Sequence, residues 1–147
     1  MKNIVLIALS FFSLLMMVVP SSAQEYDGLW EWRRKDGVRK YHILVVEREN
    51  QLYGRVTKTF SKQGVAIDKV CYQCPGSFND RSIAGLTILK GPRREKSNGS
   101  FYGERALFIP EQKRWFNCKI WRDGDDRVKV RVYEGLLFKT EVLYRVE

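Results

Sequence analysis

The sequence predicts an all-β protein, an antiparallel up-and-down β-barrel of about eight strands, with a two-sheet β-sandwich as the alternative. Apolar and polar residues alternate with a period of two along several segments, and turn signals separate these segments at short intervals. No segment after residue 23 shows a sustained apolar period of 3.6 residues. Successive side chains of a strand point to opposite faces, so this alternation is typical of half-buried strands.

Eight segments fit strands, and the clearest is the stretch VKVRVYEG, in which three valines alternate with basic residues. The predicted strands are residues 28–34, 38–48, 51–59, 82–90, 100–109, 113–122, 127–134 and 138–146. Residues 60–81 and 91–99 are predicted to be longer loops.

The turn signals favour hairpins between neighbouring strands. Asp36-Gly37 and Asp123-Gly124 supply the positive φ angles that tight hairpins require, and Glu49-Asn50 and residues 110–113 separate two further pairs. Hairpins joining consecutive strands favour a meander that closes into a barrel.

The first 23 residues are typical of a cleaved secretory signal peptide. Lys2 precedes an apolar run from Ile4 to Val19, and Ser21 and Ala23 place small residues before a cut at residue 24. The apolar run is short for a membrane span and lacks a basic stop-transfer flank. We therefore expect an exported protein, periplasmic or secreted, that does not span the membrane once mature and whose residues 24–147 form one domain.

The chain is basic, with 26 Lys and Arg against 17 Asp and Glu. These basic residues are spread along the chain without one long run. Such a balance indicates an anionic partner or simply a well-solvated surface. It makes docking to an envelope polyanion an alternative function, and it does not predict specific nucleic-acid binding.

Few residues are suited to catalysis. The single histidine, His42, lies in a predicted strand, where we expect it to face solvent without an orienting partner. Asp123, Asp125 and Asp126 fit a hairpin tip better than a calcium loop, because the EF-hand spacing is missing. The sequence predicts no catalytic residues, no metal site and no cofactor, and therefore a protein that is not an enzyme.

The stretch DKVCYQCPG contains Cys71 and Cys74, which could form a redox centre, half of a zinc site or a structural disulfide. Zinc would need Cys118 and His42 as further ligands, and the second ligand pair of a strong motif is missing. A redox motif usually stands at a helix N-terminus in a βαβ unit, whereas this one lies in a loop between strands. Export favours a Cys71–Cys74 disulfide with Cys118 as a buried free thiol. A bridge from either cysteine to Cys118 is the alternative.

Two short motifs resemble the calycin and lipocalin barrels. Gly28-Leu29-Trp30 opens the first predicted strand, and Arg145 stands near the end of the last. In those barrels the arginine lies across the tryptophan at the closed end. The resemblance therefore implies that Trp30 and Arg145 form a barrel-floor pair, with the guanidinium stacked on the indole.

An ordered series of motifs along residues 27–146 resembles an uncharacterised family of small exported bacterial proteins with a lipocalin-like barrel. The series includes LYGRV from Leu52, IAGLTIL from Ile83 and VRVYEG from Val130. Lys113 replaces a turn glycine of that pattern, and an expected aromatic near Leu143 is absent. The resemblance implies the barrel and export, and it supplies no catalytic residues.

These observations together predict a non-enzymatic binding protein for a small apolar or amphipathic ligand held inside the barrel. A polyanion-docking protein is the alternative, and a thiol-redox protein is the least favoured. The residues expected to line the interior are Tyr41, Ile43, Val45, Phe116, Ile120, Val128, Val130 and Val132.

Overall fold

A computed structural model describes residues 25–96 and 98–146, and in these residues it contains nine β-strands and one short 3₁₀ turn, Gly76–Phe78. The strands are β1 (Gly28–Arg33), β2 (Arg39–Arg48), β3 (Gln51–Phe60), β4 (Ala66–Ile67), β5 (Thr87–Arg94), β6 (Phe101–Ile109), β7 (Arg114–Arg122), β8 (Arg127–Glu134) and β9 (Leu137–Arg145). The predicted signal peptide, residues 1–23, lies outside the described residues.

Eight of the strands close into a barrel in the order β2-β1-β9-β8-β7-β6-β5-β3, and β3 pairs back with β2. All the pairings are antiparallel. The two-residue β4 pairs only with the end of β3. Because β2 has a partner on each side, the sheet has no break that would divide it into two layers. The barrel prediction is confirmed, and the sandwich alternative is wrong.

The meander places alternate connections at opposite ends of the barrel. We call one end the mouth: it comprises the connections 34–38, 61–86, 110–113 and 135–136 together with the adjoining strand ends. The opposite end, where β1 begins and β9 finishes, is the floor. Any opening at the mouth is therefore bordered by four separate loops.

The inward faces of the strands form one hydrophobic core. Leu52, Val56, Ile88 and Phe101 have no exposed surface, and the three alternating valines of β8 are at most 7% exposed. Burying an aliphatic or aromatic side chain of this size contributes roughly 1.5–3 kcal/mol. The period-two pattern thus determines which face of each strand is buried.

The fourth predicted strand was misplaced, because β5 runs from Thr87 to Arg94 and not over 82–90. Ser82 forms an isolated bridge with Val70, and Gly85 turns the chain with a φ of 100°. At the other end, Gly91 has a φ of 75° and the pairing of β5 with β6 shifts register nearby, so the strand continues past Pro92. The loop predicted for 91–99 therefore begins after Arg94.

The expectation that His42 faces solvent is also wrong. The histidine points to the outside of the barrel, but it is only 9% exposed. The ring of Phe60 packs against it with a centroid distance of 4.8 Å. Its Nε2 lies 2.9 Å from a carboxylate oxygen of Glu31. The neighbouring strands cover this part of the outer wall, which the sequence of β2 alone does not reveal.

Candidate functional site

The floor of the barrel is closed by Trp30 and Arg145. The indole is 1% exposed, and its Nε1 donates to the carbonyl of Tyr26 at 2.8 Å. The guanidinium carbon of Arg145 lies 4.3 Å from the centre of the indole ring. Arg145 also donates to the carbonyls of Glu25, Asp27 and Asp125 at 3.0–3.1 Å. One side chain therefore ties the chain before β1, the β7–β8 hairpin and the floor tryptophan together.

Above the floor lies a cavity of about 30 Å³, which we call the deep cavity. Five of the predicted lining residues border it: Ile43, Val45, Ile120, Val128 and Val130. The other lining residues are Tyr26, Trp30, Trp32, Leu52, Ile88, Leu89, Leu107, Glu141 and Leu143. A space of this size holds only one or two water molecules. The lower half of the barrel is therefore filled by its own side chains.

A larger cavity of about 220 Å³ opens at the mouth, and we call it the mouth cavity. Its apolar lining consists of Trp32, Ile109, Phe116, Val132, Leu137 and Phe138, and its polar lining of Lys40, Glu111, Gln112, Glu134, Lys139 and Glu141. Phe116 and Val132 are the predicted lining residues found here. Trp32 and Glu141 border both cavities, so the mouth cavity lies directly above the deep one.

Tyr41, the remaining predicted lining residue, borders neither of these cavities. Its side chain is fully buried and packs edge-on against Trp32 with a centroid distance of 6.1 Å. Its hydroxyl donates to the carboxylate of Glu111. Tyr41 thus supports the wall behind the mouth cavity, because its bulk fills the space that a smaller residue would leave open.

The charges at the mouth cavity are paired. The Nζ of Lys40 lies 3.2 Å from Glu111 and 4.7 Å from the ring centre of Trp32, and Lys139 pairs with Glu141. Burial raises the pKa of Glu111, but the charge of Lys40 and the hydrogen bond from Tyr41 outweigh it and hold this pKa below its usual range. Burial and the neighbouring Glu111 raise the pKa of Tyr41. Glu111 is therefore an anion at neutral pH, and Tyr41 is its neutral donor.

Sequence reasoning missed Trp32, Glu111 and Glu141 as lining residues. A signal existed for two of them. Trp32 follows Trp30 by two positions, and Glu141 precedes Arg145 by four, so strand alternation places both on the inward face. Glu111 had no such signal, because it lies in the β6–β7 turn and reaches the cavity only through the path of that turn.

Cys71 and Cys74 form a disulfide, with their Cα atoms 5.6 Å apart. The cysteines are 2% and 4% exposed, and the Cys71 N–H donates to the carbonyl of Arg81 at 2.7 Å. Cys118 is a free thiol on the inward face of β7, and burial raises its pKa to about 12. In the described residues the three cysteines therefore form no cluster.

Residues 69–83, which we call the disulfide loop, are attached to the outside of the barrel near the mouth. Phe78 packs against Phe108 and Trp115, with ring centroids 4.9 and 5.9 Å apart. These contacts explain why Phe108 has no exposed surface although it lies on the outer face of β6. The loop thus covers part of the outer wall and does not close the mouth.

Residues 25–96 and 98–146 lack two further kinds of feature. This part of the chain contains no group of three or more His, Cys, Asp or Glu side chains that could hold a metal ion. It also contains no helix that is long and apolar enough to cross a membrane.

The family described as "Uncharacterized protein conserved in bacteria (DUF2147)" matches residues 30–145, from the floor tryptophan to the floor arginine. The chain belongs to the DUF2147 family. This confirms the family resemblance that the ordered series of motifs indicated. No curated protein matches this DUF2147 chain significantly.

A solved structure has a similar fold. It is described as "Protein HP1028 from the human pathogen Helicobacter pylori belongs to the lipocalin family". The match covers 86% of this chain and 85% of that one, with a TM-score of 0.66 and 13% sequence identity. At this identity the likeness shows the fold alone, and it establishes a lipocalin-like barrel for this DUF2147 protein.

Proposed function

We propose that the protein is an exported binding protein that holds a small apolar or amphipathic molecule in the mouth cavity. The observation that carries this proposal is the cavity of about 220 Å³ at the open end of an otherwise filled barrel. Its inner wall is formed by Trp32, Phe116 and Val132, and its rim carries paired charges. An apolar recess with a few convergent polar groups is the usual form of a small-molecule site.

The volume limits the ligand. Sites for drug-sized molecules are usually about 300–1,000 Å³, so this cavity takes a smaller molecule. The deep cavity adds only about 30 Å³. The apolar part of the ligand would therefore contact Trp32 and stop above the filled lower half, and it would not reach the floor.

The charged pairs suggest how an amphipathic ligand would be oriented. Lys40 with Glu111 and Lys139 with Glu141 stand at the same cavity. A polar head group could exchange hydrogen bonds with either pair while its apolar part displaces water from the aromatic wall. Carrying a charged head group into the apolar part of the cavity without a partner would cost much more free energy than exchanging hydrogen bonds at its edge. The head group is therefore expected to stay beside the charged pairs.

The cysteines support a binding role over a redox role. The Cys71–Cys74 bridge is buried within its loop and packed beside a three-residue 3₁₀ turn, which has too few aligned peptides for a strong dipole. The free thiol of Cys118 is buried and protonated. A disulfide of this kind is typical of proteins that mature in an oxidising compartment, which supports export.

Native mass spectrometry of the protein isolated from its own source tests the proposal, and titration with decanoate and decanol tests it on purified protein. We expect a co-purifying small molecule, and we expect at least one of the two probes to change the tryptophan emission of the protein, because Trp32 borders the mouth cavity. Val132→Phe should weaken probe binding at least tenfold because the larger ring occupies part of the mouth cavity against its inner wall. Val142→Phe, on the outer face of the adjacent strand, is the matched control.

Binding that persists unchanged in Val132→Phe, or that is lost equally in Val142→Phe, would contradict this site. The melting temperature of each variant is compared first, so that a folding defect is not taken for loss of binding. No binding of either probe and no co-purifying molecule would reject the proposed function.

A groove on the outer wall favours the polyanion alternative as a second candidate. Lys90, Arg105 and Lys113 border it together with Trp115 and Tyr53, and no acidic residue does. Retention on heparin that falls steeply with salt and weakens in Lys90→Gln/Arg105→Gln would support it. Unchanged retention of that variant would exclude this groove.

A further inference from the structure

The exposed apolar residues of the protein are concentrated at the mouth. In the described part of the chain, six of the eight exposed large hydrophobic residues belong to that end, namely Val65, Ile67, Tyr72, Leu136, Leu137 and Phe138. Only Leu44 and Val146 lie elsewhere, and they are 36% and 37% exposed. The tip of the β8–β9 hairpin is the extreme case, with Leu136 at 102% and Leu137 at 76% exposure.

Folding alone does not explain this concentration. In the β8–β9 turn Gly135 takes the positive φ, at 62°, and the φ of Leu136 is not positive. Leu136 therefore contributes no turn chemistry and no burial, and a polar residue would serve the hairpin equally well. Three consecutive exposed apolar residues and a rim of further ones are typical of a surface that is covered by a partner.

Two of the four mouth connections contribute to this rim, at three sites along the chain. Val65 and Ile67 belong to the β3–β4 hairpin, and Tyr72 lies between the two bridged cysteines. Leu136 to Phe138 form the third site. Because both connections belong to the same end of the barrel, these three sites can contact one extended surface together. A lipid surface has that form, whereas a short peptide would reach only one loop.

The charges around these loops identify the kind of surface. The four mouth loops contain six basic and four acidic residues. The basic residues are Arg34, Lys35, Lys62, Lys69, Arg81 and Lys113. Lysines beside apolar tips are attracted to anionic lipid head groups while the tips enter the apolar boundary. A symmetric pair of copies joined through this rim would instead place the same basic loops against each other.

We propose that the mouth rim, formed by Val65, Ile67, Tyr72 and Leu136 to Phe138, docks onto an anionic lipid surface. Leu136, Leu137 and Phe138 enter the boundary between head groups and acyl chains, and Val65 and Tyr72 provide the other two points of contact. This orientation directs the mouth cavity toward the bilayer, since Leu137 and Phe138 also line that cavity. Docking itself does not depend on the proposed ligand, so vesicle binding can be measured without one.

Sedimentation of the full mature chain with vesicles tests the inference. One set of vesicles contains phosphatidylglycerol and phosphatidylethanolamine, and the other phosphatidylcholine alone. We expect binding to the anionic vesicles that weakens with salt, and at least a tenfold loss in Leu136→Ser/Leu137→Ser. Both side chains are exposed, so this variant should keep the wild-type melting temperature. Val146→Ser, an exposed apolar residue near the floor, is the matched control and should bind as wild type.

A Leu136→Trp variant reports insertion directly. We expect its emission to shift to shorter wavelength on addition of the anionic vesicles. Failure of the wild type to bind, equal binding by the double serine variant, or an unshifted Leu136→Trp emission would overturn the inference. Concentration-dependent dimerisation without lipid, abolished in the double serine variant, would show a second copy as the occupant and would also overturn it.

Discussion

At the scale of single residues, Arg145 joins several parts of the barrel floor. Its guanidinium stacks on Trp30 and donates to three carbonyls that belong to two different floor segments. Removing it would leave the carbonyls of Asp27 and Asp125 without this donor and expose one face of the indole, whereas the carbonyl of Glu25 would keep Arg122 as a donor. The residue therefore acts as a structural closure of the barrel and has no contact with either cavity.

Arg145→Ala should lower the free energy of unfolding by about 1–3 kcal/mol, because the stacking and several hydrogen bonds are lost together. Urea denaturation followed by tryptophan emission measures this, since Trp30 and Trp32 are buried in the folded state. Arg127→Ala is the control, because Arg127 is half-exposed and pairs only loosely with Asp123 at 3.6 Å. Equal denaturation midpoints for the two variants would contradict the floor argument.

At the scale of elements, the disulfide loop shows how a segment without regular structure is held in place. Residues 69–83 form a narrow ribbon, in which Ile83 donates to the carbonyl of Lys69 at 2.7 Å and Asp80 donates to that of Cys71 at 3.0 Å. The bridge closes this ribbon near its tip, and Phe78 attaches it to β6 and β7. Its shape therefore depends on both a covalent and a packing contact.

Cys71→Ser/Cys74→Ser should cost about 1–2 kcal/mol, less than most disulfides, because so short a ring restricts the unfolded chain only modestly. Denaturation of this variant and of untreated wild type measures the effect. Wild type in a reducing agent should unfold at the same point as the variant. Thiol counting on denatured, unreduced wild type should give one free cysteine, at Cys118. An unchanged unfolding free energy, or a different free cysteine, would contradict the structural role.

At the scale of the whole molecule, two carboxylates near the mouth link the stability of the barrel to pH. Burial raises the pKa of Glu31, but hydrogen bonds from Arg33 and His42 outweigh it, so this pKa is lowered. The pKa of Glu111 is lowered as well. A carboxyl whose pKa is lower in the folded than in the unfolded state binds its proton less readily when folded. Its contribution is therefore present at neutral pH and is lost in acid.

The unfolding free energy should therefore fall as the pH decreases below the usual glutamate value of about 4.3 and through the lowered folded values. Glu31→Gln and Glu111→Gln should each make this decline shallower, because the substituted group no longer titrates. Denaturation at a series of pH values between neutrality and pH 3 measures the slope. Glu104→Gln, on an exposed site of β6, is the control, and a variant slope as steep as the control would contradict the linkage.

The sequence by itself determined the barrel and most of its strands. Alternation of apolar residues is a property of neighbouring positions, and β8 shows it from Arg127 to Val132, so local geometry is sufficient to identify the strand and its buried face. Turn signals such as Asp36-Gly37 are equally local. The exceptions were β5, because the bulge at Gly91 and the turn at Gly85 depend on contacts with other strands, and the two-residue β4, which lies within the loop predicted for residues 60–81.

Only the tertiary structure decided where the open space lies. A cavity is what remains when side chains from eight strands have packed, so residues correctly assigned to the inward face, such as Ile43 and Val45, border only about 30 Å³. The space at the mouth depends on Glu111, which a turn brings in, and on Trp32 beside it. The burial of His42 has the same origin, since Phe60 of the adjacent strand covers it. Strand pattern assigns a face, whereas volume depends on the packing of all the strands together.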